Sequence, residues 1–367
     1  MTKEIKPLTS LRFFLAMWVV CRHVFVVFWG QQQSLLNFTF PHGMKFIVSG
    51  FLGVDGFFVL SGFILAYNYA GKFDEPSLLK YQDFLAARLA RVYPVHLATL
   101  FGMLLLAVFF RDVKFEGYNS DADYSRYTFV LNLFLVQSWY LFHDTSWNDV
   151  SWSISAEWFA YLCFPIALYA AGKSQAASGI IFRFVVSIAV LLTIELHSPA
   201  GLSLPGGLIR IIPEFIMGIV LYRYFVHRGR ENEPIPSYSG CLSLAFAIAG
   251  IVMGINTLVV SGLALLILSL AFETDILTTV GSKPYLVYLG KISFCLYMVQ
   301  RIAEKSFLLV RLHALQDWNR YSQAAVYFLF LFALAAFFYH FIEEPSRAWL
   351  KQRLSAAGRG KAAVSAA

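Results

Sequence analysis

The chain has 367 residues, 58% of them hydrophobic and only 14% charged, with a mean hydropathy of +0.62. Water-soluble domains of this composition would lack the polar surface to cover them, so lipid is the solvent for most of the chain; the apolar runs are too long for barrel strands and must be helices that satisfy their own backbones. The formal net charge of +7 does not point to a nucleic-acid partner, because the basic residues flank apolar runs instead of sharing one polar face.

In chain order, windows near twenty residues predict spans at roughly 11–29, 47–69, 94–110, 157–172, 180–196, 207–226, 239–255, 257–273, 288–311 and 321–342. The expected fold is an all-α integral membrane protein, a bundle of about ten transmembrane helices forming one domain over 1–350. A small, basic tail over 351–367 is expected to be disordered. The stretch Tyr127–Phe142 is shorter, contains Asn132 and Gln137, and reads as a re-entrant or interfacial helix. Lys3 and Lys6 ahead of an apolar run resemble the start of a signal peptide. That run contains Arg12, Arg22 and His23 and lacks a small-residue cleavage site, so it reads as a retained first helix.

Basic residues set the orientation. With the N-terminus inside, about fifteen fall on the inner side and about six outside, which predicts cytoplasmic N- and C-termini. The largest outer loop, Arg111 to Ser151, is rich in Asp, Tyr and Trp and suits the arrival of a hydroxylated substrate. Cys21, Cys163, Cys241 and Cys295 each lie in an apolar stretch without C-x-x-C or histidines at metal-ligand spacing; they read as packing residues, and no metal is expected. No internal repeat of the transporter kind is evident.

Ionisable residues inside the spans carry the functional signal. Arg12 and His23 are eleven residues apart, almost three helical turns, so they share a face roughly 16 Å apart along the axis. Taken alone, Arg12 also suits snorkelling and His23 a structural hydrogen bond. Asp55 falls about 12 Å below the outer boundary of the second span, near the depth of His23, and needs Arg22, His23 or another cation as partner. Gly50, Gly53, Gly56 and Gly62 suit close helix packing. Glu157 enters the fourth span from outside, and Arg210 with Glu214 lies in the outer half of the sixth. On the inner side Arg88 and Arg91 are neighbours on one helical face; with Arg12 they form a guanidinium cluster suited to phosphates, although the pair also satisfies the positive-inside bias.

The segments R-F-F-L-A with His23 beyond it, G-F-L-G-V-D-G-F-F-V-L-S-G-F, F-L-A-A-R-L-A-R-V-Y-P, W-S-I-S-A-E-W-F-A-Y, P-E-F-I-M-G, L-G-K-I-S-F-C-L-Y-M and F-I-E-E-P-S-R run in order along nearly the whole chain. Together they resemble the membrane acyltransferase-3 family. The resemblance implies a ten-helix enzyme that takes an acyl group from cytoplasmic acyl-CoA to hydroxyls of surface polysaccharides, lipids or small molecules. It implies His23 as catalytic histidine, Arg12, Arg88 and Arg91 as the key arginines, and Val59–Phe63, with Ser61 and Gly62, as lining of the acyl-CoA passage. One departure is Gln300, followed by Arg301, where family members often carry histidine. No esterase-like domain is expected after the last span.

The expected chemistry is O-acyl transfer, with acetyl-CoA the leading donor, in the inner membrane of a bacterium. His23 serves as general base or as nucleophile; Asp55 or Glu157 orients it, and Arg22 or Arg210 stabilises an oxyanion. The favoured acceptor is an exopolysaccharide or its lipid-linked precursor, so the expected partners are a carbohydrate or glycolipid, membrane lipid and other polysaccharide-assembly proteins. Two other classes compete: a proton-coupled glycan or lipid transporter or flippase, which would transport without acyl-CoA turnover, and a non-catalytic scaffold, which leaves the intramembrane charges without purpose.

Overall fold

The computed structural model describes residues 3–29, 42–75, 77–109, 124–139, 146–172, 176–198, 202, 207–231, 235–315, 317–349 and 352–353. Most of the predicted tail, and the stretches 110–123 and 140–145 of the predicted outer loop, lie outside the described residues. Among the described residues all regular structure is helical.

The helices are α1 (Lys6–Trp29), α2 (His42–Val48), α3 (Leu52–Tyr69), α4 (Leu78–Phe109), α5 (Arg126–Leu133), α6 (Trp152–Leu162) and α7 (Phe164–Ala170). They are followed by α8 (Ala177–His197), α9 (Leu208–Glu231), α10 (Ser239–Met253), α11 (Asn256–Ala271), α12 (Ile276–Gly281), α13 (Pro284–Ala314) and α14 (Arg320–Phe338). A helix occupies each of the ten predicted positions. Among the described residues six segments are long and apolar enough to cross a membrane: Lys6–Phe28, Met44–Phe73, Leu78–Phe109, Ala177–His197, Pro284–Leu308 and Arg320–Trp349. α6 and α7 make a seventh if taken as one span bent by 69° at Cys163. Pro165 sits in the first turn of α7, where a missing N–H is tolerated.

The remaining three predicted spans differ for physical reasons. α9 has 24 residues but carries Arg210, Glu214, Arg223, Arg228 and Arg230. α10 and α11 have 15 and 16 residues, about 22–24 Å against a hydrocarbon core of about 30 Å. Of the stretch predicted as one helix over Tyr127–Phe142, the described residues, which end at 139, are helical to Leu133. Its start is capped by the Ser125 side chain, which accepts from Thr128 N at 3.1 Å, and Leu135 has a positive φ of 58°. Asn132 and Gln137 are buried and tie this segment to the one before α6: Asn132 Nδ2 donates to Ser146 Oγ at 2.9 Å and Gln137 Nε2 to Ser151 Oγ at 3.0 Å.

Small residues set the two packings that build the centre. On α3 and α9 they are reciprocal: a Cβ on Gly218 would run into Val59 O and Phe63 N, and one on Gly62 into Phe215 O. α13 lies beside α1 through Gly290, whose absent Cβ leaves room for Thr9 O, and Ser10 Oγ donates to Gly281 O at 2.5 Å. Thr9 against Gly290 and His23 against Gln300 make α1 and α13 parallel neighbours. α14 continues through a single π-helical turn, Tyr339–Glu343, which aims Glu343 inward, where it is buried.

Candidate active site

A cavity of about 810 Å³ opens at the end of the bundle where α1 begins. α3 lines it from Val54 to Asn68, a rise of about 21 Å along the helix. Arg12, Arg88 and Arg91 line it, joined by Lys291 and Arg347, which sequence reasoning did not single out. Arg88 Nη2 donates to Tyr69 OH at 2.9 Å, and its guanidinium lies 5.1 Å from that ring's centre. Arg12 shares its surroundings with Arg91, Arg347, Glu343 and Glu157. Several guanidinium groups facing one open volume suit an anion, since each offers paired N–H donors.

Ser61 and Glu157 belong to this cavity, and Ser61 Oγ donates to Glu157 Oε1 at 2.6 Å. Gly62 does not line it; it faces α9 in the packing described above. At the far end stand Ser153 and Tyr297, with hydroxyls 2.8 Å apart. Tyr297 donates to Val150 O at 2.8 Å, and Ser153 Oγ lies 3.2 Å from the same carbonyl.

His23 lies beyond that end. Its Nδ1 is 2.8 Å from Gln300 Oε1, and Gln300 stands on α13 three residues past Tyr297, about 4.5 Å along the axis. Asp149 and Arg301 are charged neighbours of His23. They form a two-bond pair, Nε to Oδ1 and Nη2 to Oδ2, each 2.6 Å, and Arg301 Nη1 also meets Glu304 Oε2 at 2.5 Å. Arg22, next in sequence to His23, leaves by another side: its Nε donates to Val48 O at 3.1 Å and its guanidinium lies over Phe51.

Asp55 is not at the depth of His23. The glycines around it on α3 pack against Leu15 and Trp18 of α1, below His23, and Asp55 pairs with Arg210 at 3.3 Å. Glu214 lies against the same carboxyl, and Asp55, Arg210 and Glu214 are all buried. Arg210 sits 4.9 Å from the centre of the Trp152 ring and donates to Leu202 O. Eight of the ten predicted residues therefore fall into three groups: Arg12, Arg88, Arg91, Ser61 and Glu157 around the cavity; His23 beyond its far end; Asp55 and Arg210 locked between α3 and α9; Arg22 and Gly62 belong to none of them.

Gln300, Asp149, Tyr297 and Ser153 were missed as partners. Gln300 had a signal, since it occupies the position where histidine is common in the resembling family. Asp149 had none, because an Asp ahead of a span reads as a solvated flank. Among the described residues no cluster of three or more His, Cys, Asp or Glu is placed to hold a metal ion.

Residues 6–347 match the family described as the acyltransferase domain. The chain is similar to the acyltransferase MdmB of Streptomyces mycarofaciens, 28% identical over 81% of this chain and 78% of that protein. It is also similar to the peptidoglycan O-acetyltransferase OatA of Listeria monocytogenes, 25% identical over 42% of this chain and 25% of that one. No solved structure matches. With the match running from the first residue of α1 to Arg347 at the cavity, the chain belongs to the acyltransferase-3 family.

Proposed function

We propose that the protein is a membrane O-acyltransferase that moves an acyl group, acetyl in the first instance, from cytoplasmic acyl-CoA to a hydroxyl of a bacterial exopolysaccharide or its lipid-linked precursor. The observation that carries this reading is the cavity, with Arg12, Arg88 and Arg91 along it and its closed end one helical turn from the Gln300–His23 pair. Phosphates of the donor bind the guanidinium groups, the pantetheine arm follows α3, and the thioester stops near Ser153 and Tyr297. The cavity opening then faces the cytoplasm, both termini lie there, and α9, α10 and α11 complete ten crossings with the bundle packed around them. The inner membrane of a bacterium is the corresponding site.

His23 acts at the acyl carbon, as base on the acceptor hydroxyl or as transient acyl carrier. Named activities of MdmB and OatA support acyl transfer in general, and that of OatA a carbohydrate acceptor. The test is the surface glycan of the producing cells. Cells carrying His23→Ala, with the protein folded and inserted at normal levels, should lose the ester-linked acetyl that wild-type cells carry; an unchanged ester content would refute the assignment. Acetyl-CoA consumption by wild-type membranes separates this reading from transport, which predicts none.

A further inference from the structure

Gln300 is hydrogen-bonded on both edges of its amide, and the two bonds together determine which nitrogen of His23 carries the proton. One edge lies 2.9 Å from Tyr297 O, a backbone carbonyl that can only accept. That edge is therefore the NH2, because the reversed amide would set two acceptors against each other. The other edge, Oε1, then faces the imidazole at 2.8 Å, and an amide oxygen also only accepts. Nδ1 must be the donor. Gln300 is 1% exposed, and its own carbonyl accepts from Tyr327 OH of α14 at 3.2 Å, so the segment of α13 that carries it is fixed against its neighbour.

We propose that Gln300 is the positioning residue of His23, holding the imidazole as the Nδ1–H tautomer and presenting Nε2 as the bare lone pair. The proposal rests on the reading of His23 as the group that acts at the acyl carbon. In the base route, Nε2 takes the proton of the acceptor hydroxyl as its oxygen bonds to the thioester carbon. The C–S bond breaks, and the proton passes from Nε2 to the departing sulfur. Nε2 begins and ends this sequence unprotonated, and Nδ1–H stays on Gln300 throughout. A carboxylate would serve the same geometry with a charge; glutamine fixes the tautomer as a neutral group, and the nearby charges of Asp149 and Arg301 are engaged with each other.

The test uses the full chain in liposomes, with 15N-labelled histidine and solid-state NMR, the His23 signals being identified by their loss in His23→Asn. Wild type should show a protonated Nδ1 and an unprotonated Nε2 at neutral pH. Gln300→Met, similar in length and unable to accept, should yield a tautomer mixture, and Gln300→Glu should restore the single form. With acetyl-CoA and cell-surface polysaccharide as substrates, Gln300→Met should lower kcat about 10–100-fold with KM for acetyl-CoA within about twofold, and Gln300→Glu should recover most of kcat. A wild-type Nε2–H tautomer, or an unchanged spectrum and kcat in Gln300→Met, would overturn the proposal. Full activity in His23→Ala with a tautomer that still responds to Gln300 would instead overturn the catalytic reading and leave the positioning intact.

Discussion

Replacing Arg210 with methionine tests how the centre of the bundle is held. Its guanidinium stands 3.3 Å from Asp55 Oδ1, with Glu214 against the same carboxyl and all three side chains buried. Methionine keeps most of the volume, so the loss is electrostatic. Removing one partner of a buried pair costs about 3–5 kcal/mol because the other charge is left uncompensated. The lost contact with Trp152, 4.9 Å away, adds about 1–2 kcal/mol. Glu214→Gln does the opposite: two carboxyls facing one cation become one, and the new amide can donate to Asp55, so its expected cost is under about 1 kcal/mol. Asp55→Asn in the Arg210→Met background removes the orphaned charge and should recover part of the loss, a coupling a double-mutant cycle reads directly. Denaturant unfolding of the detergent-solubilised protein, followed by tryptophan fluorescence, measures all four. Arg210→Met no less stable than Glu214→Gln would refute the reasoning.

The α3–α9 contact predicts that Gly218→Leu prevents normal assembly, because its side chain would have to displace the Val59–Phe63 backbone. Gly218→Ala should cost about 1–3 kcal/mol by the same overpacking. Size-exclusion profiles decide this, and a normal monodisperse peak for Gly218→Leu would count against the interlock. Arg88→Ala and Arg91→Ala should each raise KM for acetyl-CoA by about 10- to 150-fold, the loss of a charged hydrogen bond worth about 1.5–3 kcal/mol. Initial rates at varied donor would check this, and unchanged donor KM would remove these arginines from the phosphate site.

Much of the bundle was legible because lipid imposes one rule on every segment. Long apolar runs such as those around α1, α3, α8 and α13 declare themselves by length alone. The paired arginines were legible too, since a three-residue spacing fixes Arg88 and Arg91 on one face whatever surrounds them. Depth across helices was not. Asp55 and His23 seemed level when each was counted from its own span end, yet the register of α3 on α1 is set by glycines meeting Leu15 and Trp18, which no single helix reveals. Partner identity failed for the same reason: Glu157 was matched to His23 by estimated height and instead meets Ser61, while Gln300, a neutral residue in an apolar run, drew attention only through the family resemblance.

The short stretch Asp149–Ser153 joins two parts that the sequence presents as unrelated. Its carbonyl at Val150 anchors Tyr297, which with Ser153 lines the cavity, while Asp149 at its start binds Arg301 one residue beyond Gln300. On the route proposed above, the Ser153–Tyr297 pair stands between the cavity and the Gln300–His23 pair, and both of those hydroxyls are fastened to this stretch. The same stretch therefore fixes both the hydroxyl pair at the cavity and the Asp149–Arg301 pair beside His23. Gln300 has ties of its own besides, because its amide donates to Tyr297 O within α13 and its carbonyl accepts from Tyr327 of α14. The imidazole is thus held through Gln300 by the α13–α14 pair, while the Ser153 half of the neighbouring hydroxyl pair belongs to α6, so the two sides of that contact are carried by different parts of the bundle.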